Sequence, residues 1–261
     1  MKLFYSTLLM IVALLLSTTS VSAQQRKKTV RKTSVAASAA QRPKLPIEYV
    51  AERNLGAVTD DNKSNKYENL NASTAHIPRG FHMPSIEEWA GIFPLNGVLS
   101  FEDDTELLGN YEPVCIAGEM YSFESDYQRN DRICYALRFK DEENLFLCAY
   151  RYKCMGRWTR GTLDSGVEVQ VVYLGPAFKG SLQTIASEDY WTKNKQKVIR
   201  RYFPAPGFKR RDYPDMIDSP GTLAYYWSSQ SNIVIEMTTE GVNSGKLEPW
   251  FESVCRPFAN E

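Results

Sequence analysis

The sequence predicts an α+β domain built mainly from antiparallel strands, with few short helices and much irregular chain. Three observations lead there. Apolar and polar residues alternate at period two in several segments, as on half-buried strands. Only residues 85–93 carry a clear helical stripe. Residues 45–261 contain no Gly/Ser linker and no internal repeat, so they read as one domain, long enough for an ample core.

The elements follow in chain order. Met1-Lys2 precedes the apolar run Leu8 to Leu16, which leads to Val21-Ser22-Ala23. A charge, a short apolar run and a small-x-small cleavage site describe a secretory signal peptide over residues 1–23. The run is too short to span a bilayer, which takes about 20 apolar residues. No second run of spanning length follows, so no transmembrane segment is expected. Gln24, rather than a cysteine, would be the first mature residue, which leaves no site for an N-terminal lipid. The expected location is the periplasm, the cell surface or the medium.

Residues 24–44 hold seven Lys or Arg and no acid, with small polar residues between them. Such a stretch buries too little apolar surface to offset chain entropy, so a disordered spacer is expected. Its charge also suits a tether to anionic envelope polysaccharide or lipid. All 31 acids but only 23 of the 31 basic residues lie beyond residue 44, giving residues 45–261 a formal charge of −8. That balance argues against nucleic acid as a partner.

In HIPRGFHMPSIEEWAGIFP, Ser85 is a good N-cap and Glu88 completes a capping box. Ile86, Trp89, Ala90 and Phe93 form one apolar stripe, bounded by Pro84 and Pro94. Glu87 is expected in solvent near the positive end of the helix dipole. Glu87 and Glu88 are poor candidates for a catalytic pair, because sequence neighbours diverge around a helix.

Further on, Tyr135, Leu137 and Phe139 alternate with Ala136, Arg138 and Lys140, and Asp141 to Asn144 reads as a turn. Phe146, Cys148, Tyr150, Tyr152 and Cys154 share one face of the next strand. A four-residue turn sets Lys140 opposite Leu145, which places Phe139 by Phe146, Leu137 by Cys148 and Tyr135 by Tyr150. Residues 167–171 and 232–237 are further expected strands.

Five cysteines in an exported chain invite disulfides. Cys148 and Cys154 lie about 20 Å apart on one extended strand, beyond the roughly 7 Å that a disulfide allows. The expected register puts Cys134 on the face opposite Cys148. Cys115 and Cys255 are left without an assigned partner, and buried reduced thiols are an equal alternative.

Few motifs suggest chemistry. His76 and His82 fit no zinc spacing, and the chain contains no CxxC, G-x-S-x-G or phosphate-binding glycine loop. No cofactor is expected. Asp212, Asp215 and Asp218 recur every three residues and are the candidate calcium ligands, although a proline-broken acidic loop is the plainer reading. Glu102, Asp103, Asp104 and Glu106 read as a solvated turn. Trp89, Trp227 and Trp191 are expected in the core. Trp250 is the best candidate for an exposed, sugar-stacking aromatic.

Several stretches in order carry a resemblance. GFHMPSIEEWAGIFP is similar to the Gly-x-x-Leu-Pro-[Thr/Ser]-x-x-Glu-Trp signature of the Fibrobacter succinogenes major paralogous domain, with Met83 in place of Leu. More distantly it resembles formylglycine-generating sulfatase-modifying factors. YVAERNL resembles the opening strand and Asn-Leu pair. YALRFK, VIRRYFPAPGF and YYWSSQ resemble later segments of Bacteroidetes-type members, and SVCRPF the closing strand.

The resemblance implies a C-type-lectin-like fold and export. It also implies that residues 228–252 face a ligand, with Gln230, Asn232, Asn243 and Trp250 as binding candidates. The lectin calcium signature Glu-Pro-Asn is absent, since Trp250 follows Glu248-Pro249. The expected function is a non-catalytic surface or envelope module that binds glycan or a surface protein. A structural accessory subunit of a surface assembly such as a fimbria is the alternative. A formylglycine-generating-type copper oxidase is a third reading; it would use Cys148 and Cys154 of CAYRYKC, whose position and spacing both depart from that family.

Overall fold

A computed structural model of the chain describes residues 42–59, 65–95 and 97–261. The expected signal peptide and residues 24–41 of the spacer lie outside the described residues. The spacer's last three residues are held against the fold, contrary to expectation. Arg42 pairs with Glu48 at 2.6 Å, and Lys44 sits 3.7 Å over the Tyr49 ring. Among the described residues, no helix is long and apolar enough to cross a membrane.

The architecture is α+β, mostly antiparallel, with few short helices. The chain enters through α1 (Pro46–Tyr49), α2 (Leu70–Ala75), β1 (Phe81–His82), α3 (Ile86–Ala90) and β2 (Leu99–Ser100). A meander follows, made of β3 (Glu106–Ile116), β4 (Glu119–Asn130), β5 (Ile133–Lys140), β6 (Cys148–Met155) and β7 (Gly166–Tyr173). After α4 (Leu182–Ile185) and α5 (Glu188–Lys193), β8 (Ile199–Pro204) completes a six-stranded sheet in sequence order.

The remaining strands are β9 (Phe208–Arg210), β10 (Tyr213–Asp218), β11 (Ala224–Trp227), β12 (Ile233–Met237), β13 (Gly241–Lys246), β14 (Phe251–Glu252) and β15 (Phe258–Ala259). They form a four-stranded sheet ordered β11-β12-β13-β2, a three-stranded sheet ordered β10-β9-β14, and a β1–β15 pair. The stretch likened to an opening strand, Tyr49 to Leu55, begins on the last residue of α1 and continues as irregular chain, with the Ala51 and Leu55 N–H groups donating to the Pro257 and Cys255 carbonyls. Val50 bridges Phe258, while just before it Pro46 starts the α1 helix and Glu48 caps the Leu45 N–H at 2.8 Å.

The predicted capping box forms. Ser85 Oγ accepts from the Glu88 N–H at 3.1 Å, and Glu88 Oε2 accepts from the Ser85 N–H at 2.7 Å. Trp89 is fully buried and donates to the Trp227 carbonyl at 3.1 Å. Its ring lies 5.1–6.2 Å from those of Phe93, Phe203, Tyr226 and Phe258. At the end of α3 the backbone passes close to α1: a Cβ on Gly91 would sit 2.9 Å from Pro46 Cβ.

The expected β5–β6 register is off by one. Leu137 pairs with Ala149, Arg138 with Cys148 and Tyr135 with Arg151. Tyr135 and Leu137 face α4 and α5 together with Leu147, Ala149 and Trp191. Cys134, Ala136, Cys148, Tyr150 and Tyr152 face the main core. Both faces of the sheet are covered, so alternation alone did not single out a register.

A β-bulge adds to the miss. The β4–β5 pairing shifts between Glu124–Lys140 and Asp126–Leu137, and Phe139 sits at φ 67°. The extra residue turns Phe139 into the same core that receives Arg138. The corrected register also places Cys134 on the face of Cys148, opposite Tyr152. All five cysteines are free thiols: Cys115 is half-buried, the others buried.

Candidate functional site

The site starts at α3. At the end of this five-residue helix the Glu88 and Trp89 carbonyls accept backbone N–H groups, and the carbonyls that follow turn to side chains. Arg138, fully buried, supplies donors: Nη2 reaches the Ala90 carbonyl at 2.6 Å and Nη1 the Ile92 carbonyl at 3.1 Å. Tyr150 donates to the Gly91 carbonyl at 3.0 Å and Tyr152 to the Ile92 carbonyl at 2.9 Å. Glu112 on β3 balances the guanidinium at 2.7 Å and also accepts from Ser125 and Tyr127.

Burial alone would lower the Arg138 pKa. Glu112 and the surrounding tyrosines outweigh it and hold the group well above its ordinary value. Burial pushes the Tyr127 phenol well up, so it stays protonated and donates to Glu112. The network fixes α3 to the six-stranded sheet.

Beside the network lies a cavity of about 360 Å³ between α3 and β3, closed by Ser244 of β13. Ile86, Ala90, Leu95, Val98 and Pro113 give it apolar walls. Glu87, Asn110 and Ser244 bring polar groups, and Tyr111, 73% exposed, stands at its rim. Glu87 was expected in solvent but is half-buried in this wall, its two oxygens each 3.3 Å from Gln230 Nε2. Asn110 Nδ2 and Gln230 Oε1 are buried without a hydrogen-bond partner. Such groups seek a ligand or water.

The four residues expected to bind ligand are not brought together. Gln230 adjoins the cavity through Glu87. Asn243 turns away and accepts from the Gly97 N–H, which pins the loop that Arg129 also holds through the Gly97 and Val98 carbonyls. Asn232 takes φ 62° and lines a separate hollow with Asn69, Trp227 and Pro249. Trp250, 53% exposed, lies against Phe251.

Trp191 and Trp227 are buried, with Trp227 Nε1 donating to the Glu68 carbonyl at 2.8 Å. The candidate calcium ligands do not converge. Asp212 sits between β9 and β10, Asp215 on the irregular part of β10, and Asp218 pairs with Arg210 at 2.8 Å. Among the described residues, no group of three or more His, Cys, Asp or Glu is placed to hold a metal.

The acidic turn is not simply solvated: Asp103 pairs with Arg129 at 3.0 Å and Glu106 accepts from Gln183 at 2.6 Å. His82 lies between Glu88 Oε1 at 2.7 Å and Asn260 Oδ1 at 3.0 Å, and His76 lies 2.9 Å from Glu68. Asn110, Tyr111, Glu112 and Ser244 escaped the sequence reading. A chain-order reading gives no sign that β3 faces α3; the only trace was the dense polar-aromatic pattern of ELLGNYEP.

These features define a β-rich α+β domain with an apolar-walled, polar-rimmed cavity where the helix α3 meets a sheet edge. The chain belongs to a family described as a domain of unknown function, DUF8237, whose model matches residues 42–249. No curated protein and no solved structure matches it.

Proposed function

We propose that the protein is an exported, non-catalytic surface or envelope module that binds glycan in the α3–β3 cavity. What supports this is the cavity's make-up: apolar walls, an exposed aromatic ring at the rim, and a lining residue, Asn110, whose buried amide nitrogen has no partner, around a volume that suits a sugar ring. A pyranose offers both an apolar face and hydroxyls to match. The antiparallel, sheet-rich plan and the resemblance to the major paralogous domain support a C-type-lectin-like fold.

A non-catalytic reading is favoured over a thiol-based oxidase. Cys148 and Cys154 sit six residues apart along the extended strand β6, about 20 Å, too far for both to hold one ion. The mature chain on a glycan array tests the proposal. Binding should appear and should weaken at least several-fold in Tyr111→Ala and Asn110→Ala. An array without ligands, or binding indifferent to both substitutions in folded samples, refutes it. Retention of assembly subunits without any sugar would favour the accessory-subunit reading.

A further inference from the structure

The cavity's charge is one-sided. Two carboxylates line it, and among the described residues no Lys, Arg or His does. Glu112 is already balanced, since Arg138 lies against it at 2.7 Å and Tyr127 and Ser125 donate to it. Glu87 is not balanced. Among the described residues its contacts are the neutral Gln230 amide, at 3.3 Å to each oxygen, and no cation pairs with it. A half-buried carboxylate with only long, neutral hydrogen bonds is an open seat for a positive charge.

Asn110 Nδ2, buried and without a partner, adds a donor for a hydroxyl or ring oxygen in the same space. The Tyr111 ring at the mouth is attractive to both a sugar face and a cation. An acidic sugar would meet Glu87 with nothing to offset the repulsion.

We infer that the cavity selects a sugar carrying a protonated amine, with Glu87 as the residue that reads the charge. This rests on the glycan-binding reading above and narrows it to a ligand class. Amino sugars with a free amine are preferred over their neutral counterparts, N-acetylation removes the preference, and uronic acids are excluded. An ammonium–carboxylate contact at such a site supports a preference of about five- to tenfold, larger at low salt.

Millimolar titrations of the mature protein, followed by NMR, test this. The probes are the methyl glycosides of glucose, galactose and mannose, their 2-amino and 2-acetamido forms, and methyl glucuronide. The expected order is amino, then neutral and acetamido, then acidic. In Glu87→Gln the ratio of amino- to neutral-sugar affinity should fall to near unity, whatever happens to overall affinity. In Tyr111→Ala all sugars should weaken, and the amine preference should fall less than in Glu87→Gln; circular dichroism checks that both variants fold. Equal binding of amino and neutral sugars, or a preference that survives Glu87→Gln, overturns the charge assignment but leaves glycan binding standing. Silence from every sugar overturns both.

Discussion

Replacing Glu112 with leucine isolates the buried charge on which α3 depends. Arg138 has no solvent exposure and Glu112 only 8%. In wild type the guanidinium donates to Glu112 from Nε at 3.2 Å and from Nη2 at 2.7 Å. Glu112→Leu removes both charge-assisted bonds and leaves the cation with backbone carbonyls and the Tyr152 hydroxyl. Breaking a buried pair from one side costs about 3–5 kcal/mol, because the surviving charge is uncompensated. With a urea slope of about 2 kcal/mol/M, the midpoint should fall by roughly 1.5–2.5 M.

The double variant Glu112→Leu, Arg138→Met removes the stranded charge. It still deprives the Ala90 carbonyl of its Arg138 donor, at about 1 kcal/mol, while Tyr152 continues to donate to the Ile92 carbonyl. It should therefore be more stable than Glu112→Leu alone. Urea unfolding followed by circular dichroism measures all three proteins. A single variant that loses less than about 1 kcal/mol, or a double variant no better than the single, would refute the account of Arg138 as a buried, paired charge.

Four other outcomes are expected. Ser85→Ala should cost about 1 kcal/mol by thermal or urea unfolding, since the Glu88 N–H loses its acceptor, whereas Trp250→Ala at an exposed site should change stability by less than about 0.5 kcal/mol. Mass spectrometry after brief alkylation of the native protein should show Cys115 modified first, with Cys134, Cys148, Cys154 and Cys255 modified only on unfolding. Burial pushes the Cys134 and Cys255 thiols up to about 12; the unfolded chain releases those protons near pH 9, so stability should fall as pH rises from about 9 to 12, by up to roughly 1.4 kcal/mol per pH unit per thiol, and Cys134→Ala should flatten that slope.

Much of the fold was legible where local physics decides. Ser85 and Glu88 announced α3, because a capping box needs only four residues in order. Trp89 at the centre of an apolar stripe pointed inward for the same reason. The β5–β6 hairpin was legible as a hairpin but not in its register. Both faces of β5 are apolar, and the bulge at Arg138–Phe139 breaks the period on which a register argument stands. No local rule places a fully buried arginine in a strand; its need arises from α3 carbonyls nearly fifty residues upstream. The expected binding candidates illustrate a related point. Asn232 and Asn243 are polar and late in the chain, but one shapes a turn and the other pins Gly97. Whether a polar side chain has backbone work to do is set by tertiary neighbours.

Glu112 links the two features that matter most. One side of its carboxylate meets Arg138, and its residue also forms part of the cavity wall. The network that satisfies the end of α3 therefore also sets where Ile86, Glu87 and Ala90 stand relative to Asn110 and Tyr111. Those positions are held by buried hydrogen bonds within the chain itself, so the proposed site does not depend on a ligand for its order. Preformed sites spend little binding energy on ordering. A weak, millimolar-scale contact such as one sugar ring then remains measurable with only a handful of polar groups. If α3 were instead anchored by loose apolar contact alone, its short length would leave Glu87 free to swing into solvent, and the same residues would make no site.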